Sequence, residues 1–138
     1  MQEFVFEELE HTADIGVRVQ AREPAALFAG AARAMFALLC AEPDAAAPVA
    51  TRRVAIDAAD IEALMVDWLN ELLYLHETAG ALFTDCRMRQ WSPTHLEADV
   101  AGRPPLGAPQ VHIKAATYHQ LRIDQRADLW TGEVFFDI

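Results

Sequence analysis

At 138 residues, with 53% of them hydrophobic, the chain has the length and composition of one domain with a real core, and disorder over most of it is excluded. Twenty-one acidic residues against 11 basic ones give a net charge of −10, which excludes strong direct capture of nucleic acid through phosphates and suits a metal, a cationic ligand or a basic protein partner. The opening MQEFVFEELE lacks the basic-then-apolar order of a signal peptide, and no apolar run approaches membrane-spanning length, so no membrane association and a cytoplasmic location are expected.

In chain order, residues 3 to 9 alternate loosely through Phe4, Phe6 and Leu9 and read as a strand. Residues 10 to 14 form a polar break, after which Ile15, Val17 and Val19 alternate as a second strand. Pro24, at home in a first turn, opens a helix to about residue 41 with Leu27, Ala31, Ala34, Met35, Leu38 and Leu39 on its apolar face. Residues 42 to 50, rich in Ala with two prolines, read as a loop, and 51 to 58 as a strand with Val54 and Ile56 inward. Ile61, Leu64, Met65, Trp68, Leu69 and Leu72 then carry the rhythm of a helix with one broad buried face, around which the rest is expected to pack. Asp60 suits its N-cap, Glu62 its first turn and Gly80 a left-handed close, while Asp67, Asn70, Glu71 and Glu77 fall on the solvated side.

Residues 81 to 91 and 95 to 101 read as a hairpin connected through residues 92 to 94, with the turn at Ser92-Pro93. Residues 102 to 109, with three prolines and two glycines, read as a loop and as the expected mobile spot of the chain. Residues 111 to 124 are strand-rich with a bend at Ala115-Ala116, and 129 to 138 form a final strand. This order predicts a single α+β domain over 1–138, with a mixed or mostly antiparallel sheet covered by two helices.

Common catalytic machinery is missing. The single serine, Ser92, sits in a Ser-Pro turn, and Gly102 and Gly107 are followed by Ala108-Pro109 where a phosphate loop needs Lys-Ser/Thr. There is no zinc-type Cys/His spacing, and Cys40 and Cys86 read as reduced, largely buried thiols. Three places could carry chemistry. Asp14, in His11-Thr12-Ala13-Asp14, stands at a strand entrance, where such residues commonly serve a turn. Asp137 places a carboxylate beside the chain's last residue, Ile138, and hard cations prefer several oxygens at short range. Lys114, the one lysine, lies by strand parity on the face away from Val111 and Ile113, where an ammonium is usually solvated but can hold a phosphate or a carboxylate.

Together these blocks are informative. Residues 10 to 16 (EHTADIG) resemble the N-terminal signature of the archease family, as do Ala34-Met35-Phe36, residues 66 to 75 (VDWLNELLYL), residues 114 to 119 (KAATYH) and the closing Phe136-Asp137-Ile138. The resemblance spans nearly the whole chain in the family's order. It implies a non-catalytic accessory protein that activates a GTP- and metal-dependent RNA-splicing ligase, promoting guanylylation of the ligase histidine and repeated turnover in tRNA splicing and RNA repair. It implies a divalent-metal site on Asp14, Asp137 and Ile138, with calcium foremost and magnesium or manganese as alternatives, and functional roles for Lys114 and His11 toward partner or nucleotide. Some relatives carry an acid in the first helix near Ala25 to Gly30, which this chain lacks; Glu23 or His11 could replace it. Two other readings stand beside this one: a specificity chaperone for a tRNA methyltransferase, and a small stand-alone metal-dependent hydrolase.

Overall fold

The structure, a computed structural model, describes residues 3–10, 14–40 and 47–138. Among these the chain forms β1 (Phe4–Glu10), β2 (Ile15–Ala21), α1 (Pro24–Leu39), β3 (Ala50–Asp57), α2 (Ile61–Ala79), β4 (Leu82–Ser92), β5 (His95–Arg103), β6 (Ala115–Ala116), β7 (Arg122–Arg126) and β8 (Leu129–Asp137). The class is α+β, as expected, and every strand pair is antiparallel. The strands divide into two sheets. One runs β1-β2-β8-β6, with β7 also on β8, and the other runs β3-β5-β4. No helix is long and apolar enough to cross a membrane among the described residues.

Both helices lie between the sheets. α1 touches β1, β2 and β8 of the first sheet and β4 of the second, and α2 touches β3, β4 and β5 as well as β6 and β7. That position explains why α1 is buried at 12 of its 16 residues, including Phe28, Ala32 and Phe36 outside the expected stripe. A helix walled on opposite sides must be apolar nearly all round. α1, rather than α2, is therefore the innermost element. Gly30 permits its close approach to the first sheet, since a Cβ there would meet Phe4 Cγ at 2.7 Å and Val19 Cγ1 at 2.8 Å.

α2 follows its sequence signals closely. The Asp60 carboxylate accepts from the Ala63 N–H at 2.8 Å, and Gly80 closes the helix at φ 66°. Trp68 is fully buried, and its indole N–H donates to the Phe28 carbonyl at 2.9 Å, tying the two helices together. Asn70 departs from expectation: it is half-buried and bonded to β6 rather than solvated.

Three local differences have physical reasons. The β4–β5 turn has two residues, Pro93 and Thr94, because pairing continues to Ser92 opposite His95. Of the stretch 111–124, Ala115-Ala116 is itself the short strand β6, and Gln120, in the left-handed region at φ 54°, turns the chain before β7. The loop after β5 is tied down, Gln110 N–H donating to the Leu39 carbonyl at 2.8 Å and the Cys40 thiol to the Leu106 carbonyl at 3.4 Å. The polar break at 11–13 and most of the loop from 42 lie outside the described residues.

Candidate metal centre

The C-terminal end of β8 is where three distant parts of the chain meet. On one edge β2 pairs with it in the register Ile15↔Phe136, so Asp14, one residue before Ile15, and Asp137, one after Phe136, flank the same rung. On the other edge β6 pairs Ala115↔Asp137, and Lys114 N–H donates to the Asp137 carbonyl at 2.8 Å. Antiparallel register thus gathers Asp14, Lys114, Asp137 and Ile138 at one end of the first sheet. Asp14 is half-buried, and the other three are exposed. His11 lies outside the described residues.

β8 needs two partners on its second edge, because β7 covers only Leu129 to Glu133 and β6 only Phe136 and Asp137. Thr117 closes the gap, its N–H and hydroxyl both donating to the Phe135 carbonyl at 3.1 and 3.0 Å. The same hydroxyl accepts from the His119 N–H at 3.3 Å, and the His119 ring comes within 3.6 Å of the Asp14 carboxylate, Nε2 to Oδ2. His119 is the residue that sequence reasoning passed over. Its signal was its place in the 114–119 block, but a continuous strand through that block conceals the turn that carries it back to Asp14. On the opposite side of β8, Phe135 lies over Gly16, where a Cβ would sit 2.6 Å from the ring.

The candidate donors at this sheet end are two carboxylates and the Ile138 carbonyl, hard oxygen ligands in a half-open setting, with one imidazole in reach of Asp14. That chemistry fits calcium, magnesium or manganese better than zinc. Among the described residues no three His, Cys, Asp or Glu side chains converge on one point. Glu23 does not belong to this site. It stands at the N-cap position of α1 beyond the far end of β2, on the order of 20 Å along the strand from Asp14 at the usual rise per residue. The segment Ala25 to Gly30 lies at that same far end, where Gly30 meets Phe4 and Val19, so the missing first-helix acid does not open a hole beside Asp14.

Two charged clusters elsewhere among the described residues are ion-paired on the outer faces of the sheets. Arg18 bridges Glu7 and Glu133 on the outer face of the first sheet, and hydrogen bonds from Arg89 and Arg53 hold Asp99 below the usual carboxylate range on the outer face of the second. Burial, with Asp99 nearby, pushes the Cys86 thiol up to about 12, which leaves it a poor nucleophile.

The fold defines a small α+β protein of two antiparallel sheets in which the β2–β8 register sets two carboxylates at one sheet end. The model of the Archease protein family (MTH1598/TM1083) matches residues 6–138, and the chain belongs to the archease family. The protein archease of Methanosarcina acetivorans is 35% identical over 140 residues, covering 96% of this chain and 95% of that protein. The one from Methanopyrus kandleri is 30% identical over 139 residues, covering 96% and 99%. The solution structure of Methanobacterium thermoautotrophicum protein 1598 superposes with a TM-score of 0.76 at 26% identity over 100% of both chains. A crystal structure from Thermotoga maritima, described as an archease and possible chaperone, shares the fold with a TM-score of 0.66 at 22% identity over 96% of each chain.

Proposed function

We propose that this chain is a non-catalytic activator of a GTP- and metal-dependent RNA-splicing ligase, promoting guanylylation of the ligase and repeated turnover through a divalent cation held by Asp14, Asp137 and Ile138. The observation that carries the reading is the pairing of β2 and β6 with the two edges of β8, which gathers those oxygens with Lys114 and His119. Family membership supports it, as does the description of the Thermotoga maritima relative as a possible chaperone, which is an assisting role.

Asp137 is exposed and Asp14 half-buried, which leaves the sheet end open on one side, as a site must be if its ligand is to be shared with a partner's nucleotide. Lys114, an exposed ammonium tethered through its own backbone to Asp137, can steady those carboxylates or meet a phosphate as a point charge. Tyr118 and Ile138, 58% and 48% exposed, give the rim the apolar area that a docked protein surface covers. The net charge of −10 steers the chain toward a basic partner. A divalent cation bound there supplies Lewis-acid neutralisation of phosphate charge.

The test is ligated RNA per ligase molecule, with a trace of this protein present or absent. Wild type is expected to convert the cognate ligase from about one turnover to many, and Asp14→Ala, Asp137→Ala and Lys114→Ala to fold normally and lose that stimulation. An unchanged ratio with wild type refutes the activator role. Steady phosphoester turnover by the protein alone would instead favour a hydrolase, and a shift in methylation site on adding it to a tRNA methyltransferase would favour a specificity chaperone. Calorimetric titration with calcium, magnesium and manganese salts separates the metal claim: equal binding by wild type and Asp14→Ala places the site elsewhere.

A further inference from the structure

Strand β6 is two residues long and has two edges to satisfy. One edge pairs with β8. On the other, where no strand lies, the side chain of Asn70 reaches out from the middle of α2. Its Oδ1 accepts from the Ala116 N–H at 2.8 Å, and its Nδ2 donates to the Ala116 carbonyl at 3.3 Å. A carboxamide presents an acceptor and a donor in one plane, as a peptide group does, so Asn70 occupies the place of a neighbouring strand. Ala116 is 4% exposed, and its N–H and carbonyl would otherwise be poorly solvated.

We propose that Asn70 is the positioning residue of the candidate metal centre, clamping Ala116 so that Lys114 on one side and His119 on the other are held against Asp137 and Asp14. The proposal rests on the metal reading for its consequence, but not for the clamp itself. The chain of bonds is continuous. Ala116 is fixed to α2 by Asn70; two residues before it, Lys114 N–H bonds Asp137; one residue after it, Thr117 bonds Phe135 and the His119 N–H. α2 is rigid at this level, since Trp68 and Leu69 are fully buried beside Asn70. The helix therefore sets where the site's flanking residues stand, although it contributes none of the ligands.

Residue chemistry is specific at this position. Asn70→Asp keeps the acceptor for the Ala116 N–H, loses the donor and sets a carboxylate against a carbonyl oxygen. Asn70→Leu, of the same branched heavy-atom skeleton, loses both bonds. The experiment combines amide hydrogen exchange and backbone chemical shifts with calorimetric titration of manganese chloride. In Asn70→Leu the Ala116 amide is expected to exchange at least about tenfold faster, with shift changes concentrated in residues 114 to 119 and 137 to 138, and manganese affinity to fall about tenfold, as it does when the residues that orient metal ligands are removed. Asn70→Asp should fall between, and it carries the test if the leucine variant does not fold. Val54→Ala, a core truncation in the second sheet, lowers stability without touching β6 and should leave both the shifts and the affinity in place. Unchanged Ala116 protection in a folded variant overturns the clamp. A lost clamp with manganese affinity within twofold of wild type overturns its role at the site. If wild type and Asp14→Ala bind manganese equally, the metal reading fails while the exchange data still decide whether Asn70 positions the segment.

Discussion

Trp68→Ala tests the packing of the two helices directly. The side chain is fully buried, and its indole N–H satisfies the Phe28 carbonyl across the α1–α2 interface. Removing the ring from a close-packed core costs about 3 to 5 kcal/mol, a large part of the ~5 to 15 kcal/mol that stabilises a typical domain. Unfolding entropy of about 2.1 cal/mol/K per residue gives ~0.29 kcal/mol/K for 138 residues, so a loss near 4 kcal/mol lowers Tm by about 14 °C. Trp68→Phe keeps much of the apolar area but removes the donor. It should cost about 1 to 3 kcal/mol, a shift of roughly 3 to 10 °C, because the lost bond is buried. Calorimetric melting of the three proteins measures the series. A shift under about 3 °C for Trp68→Ala would mean that the helices do not depend on this contact, and the account of α1 as the innermost element would fall with it.

The β4–β5 turn should respond to pH. His95 bonds Glu97 at 2.8 Å and Asp57 at 2.7 Å, and these bonds raise its pKa above the ordinary value near 6.5. A raised folded-state pKa means stabilisation that is complete below about 6.5 and is lost as pH rises through the higher folded value. Urea midpoints should therefore fall more between about pH 6 and 8.5 in wild type than in His95→Gln, and parallel curves would refute the bridge. Gly16→Ala sets a Cβ 2.6 Å from the Phe135 ring and 2.8 Å from the Val134 carbonyl oxygen, so it should cost about 1 to 3 kcal/mol by overpacking, read as a lower Tm.

The periodic parts of the chain were legible because periodicity is local. Asp60, the apolar stripe through Trp68 and the glycine at 80 each state a helix boundary or face within a few residues, and the structure keeps them. The alternation at Ile15, Val17 and Val19 likewise announced β2. The division into two sheets was not legible, because both sheets read as alternating strands and nothing local says that β3 pairs with β5 rather than β2. The burial of Phe28 and Phe36 was missed for the same reason: a stripe shows which face is most apolar, and only the second sheet explains the others. Asn70 was placed on the solvated side by helical phase. A polar residue that replaces a strand looks, in sequence, like any polar residue facing water.

The candidate site is the extreme case of that difference. Asp14 and Asp137 were picked out as residues of the right chemistry, yet their neighbourhood follows from Ile15 pairing with Phe136, a contact between opposite ends of the chain. Lys114 joins them through a two-residue strand too short to have a period, and that strand is completed by a side chain from α2. Pairings this distant in sequence are entropically costly to close and profit from the core packing already in place. The oxygen-rich end of the sheet therefore exists only once β8 has docked between β2 and β6. Truncating the last strand then removes the candidate site as a whole, whereas loosening β6 moves only Lys114 and His119 at its flank and leaves the β2–β8 register that brings Asp14 to Asp137 in place.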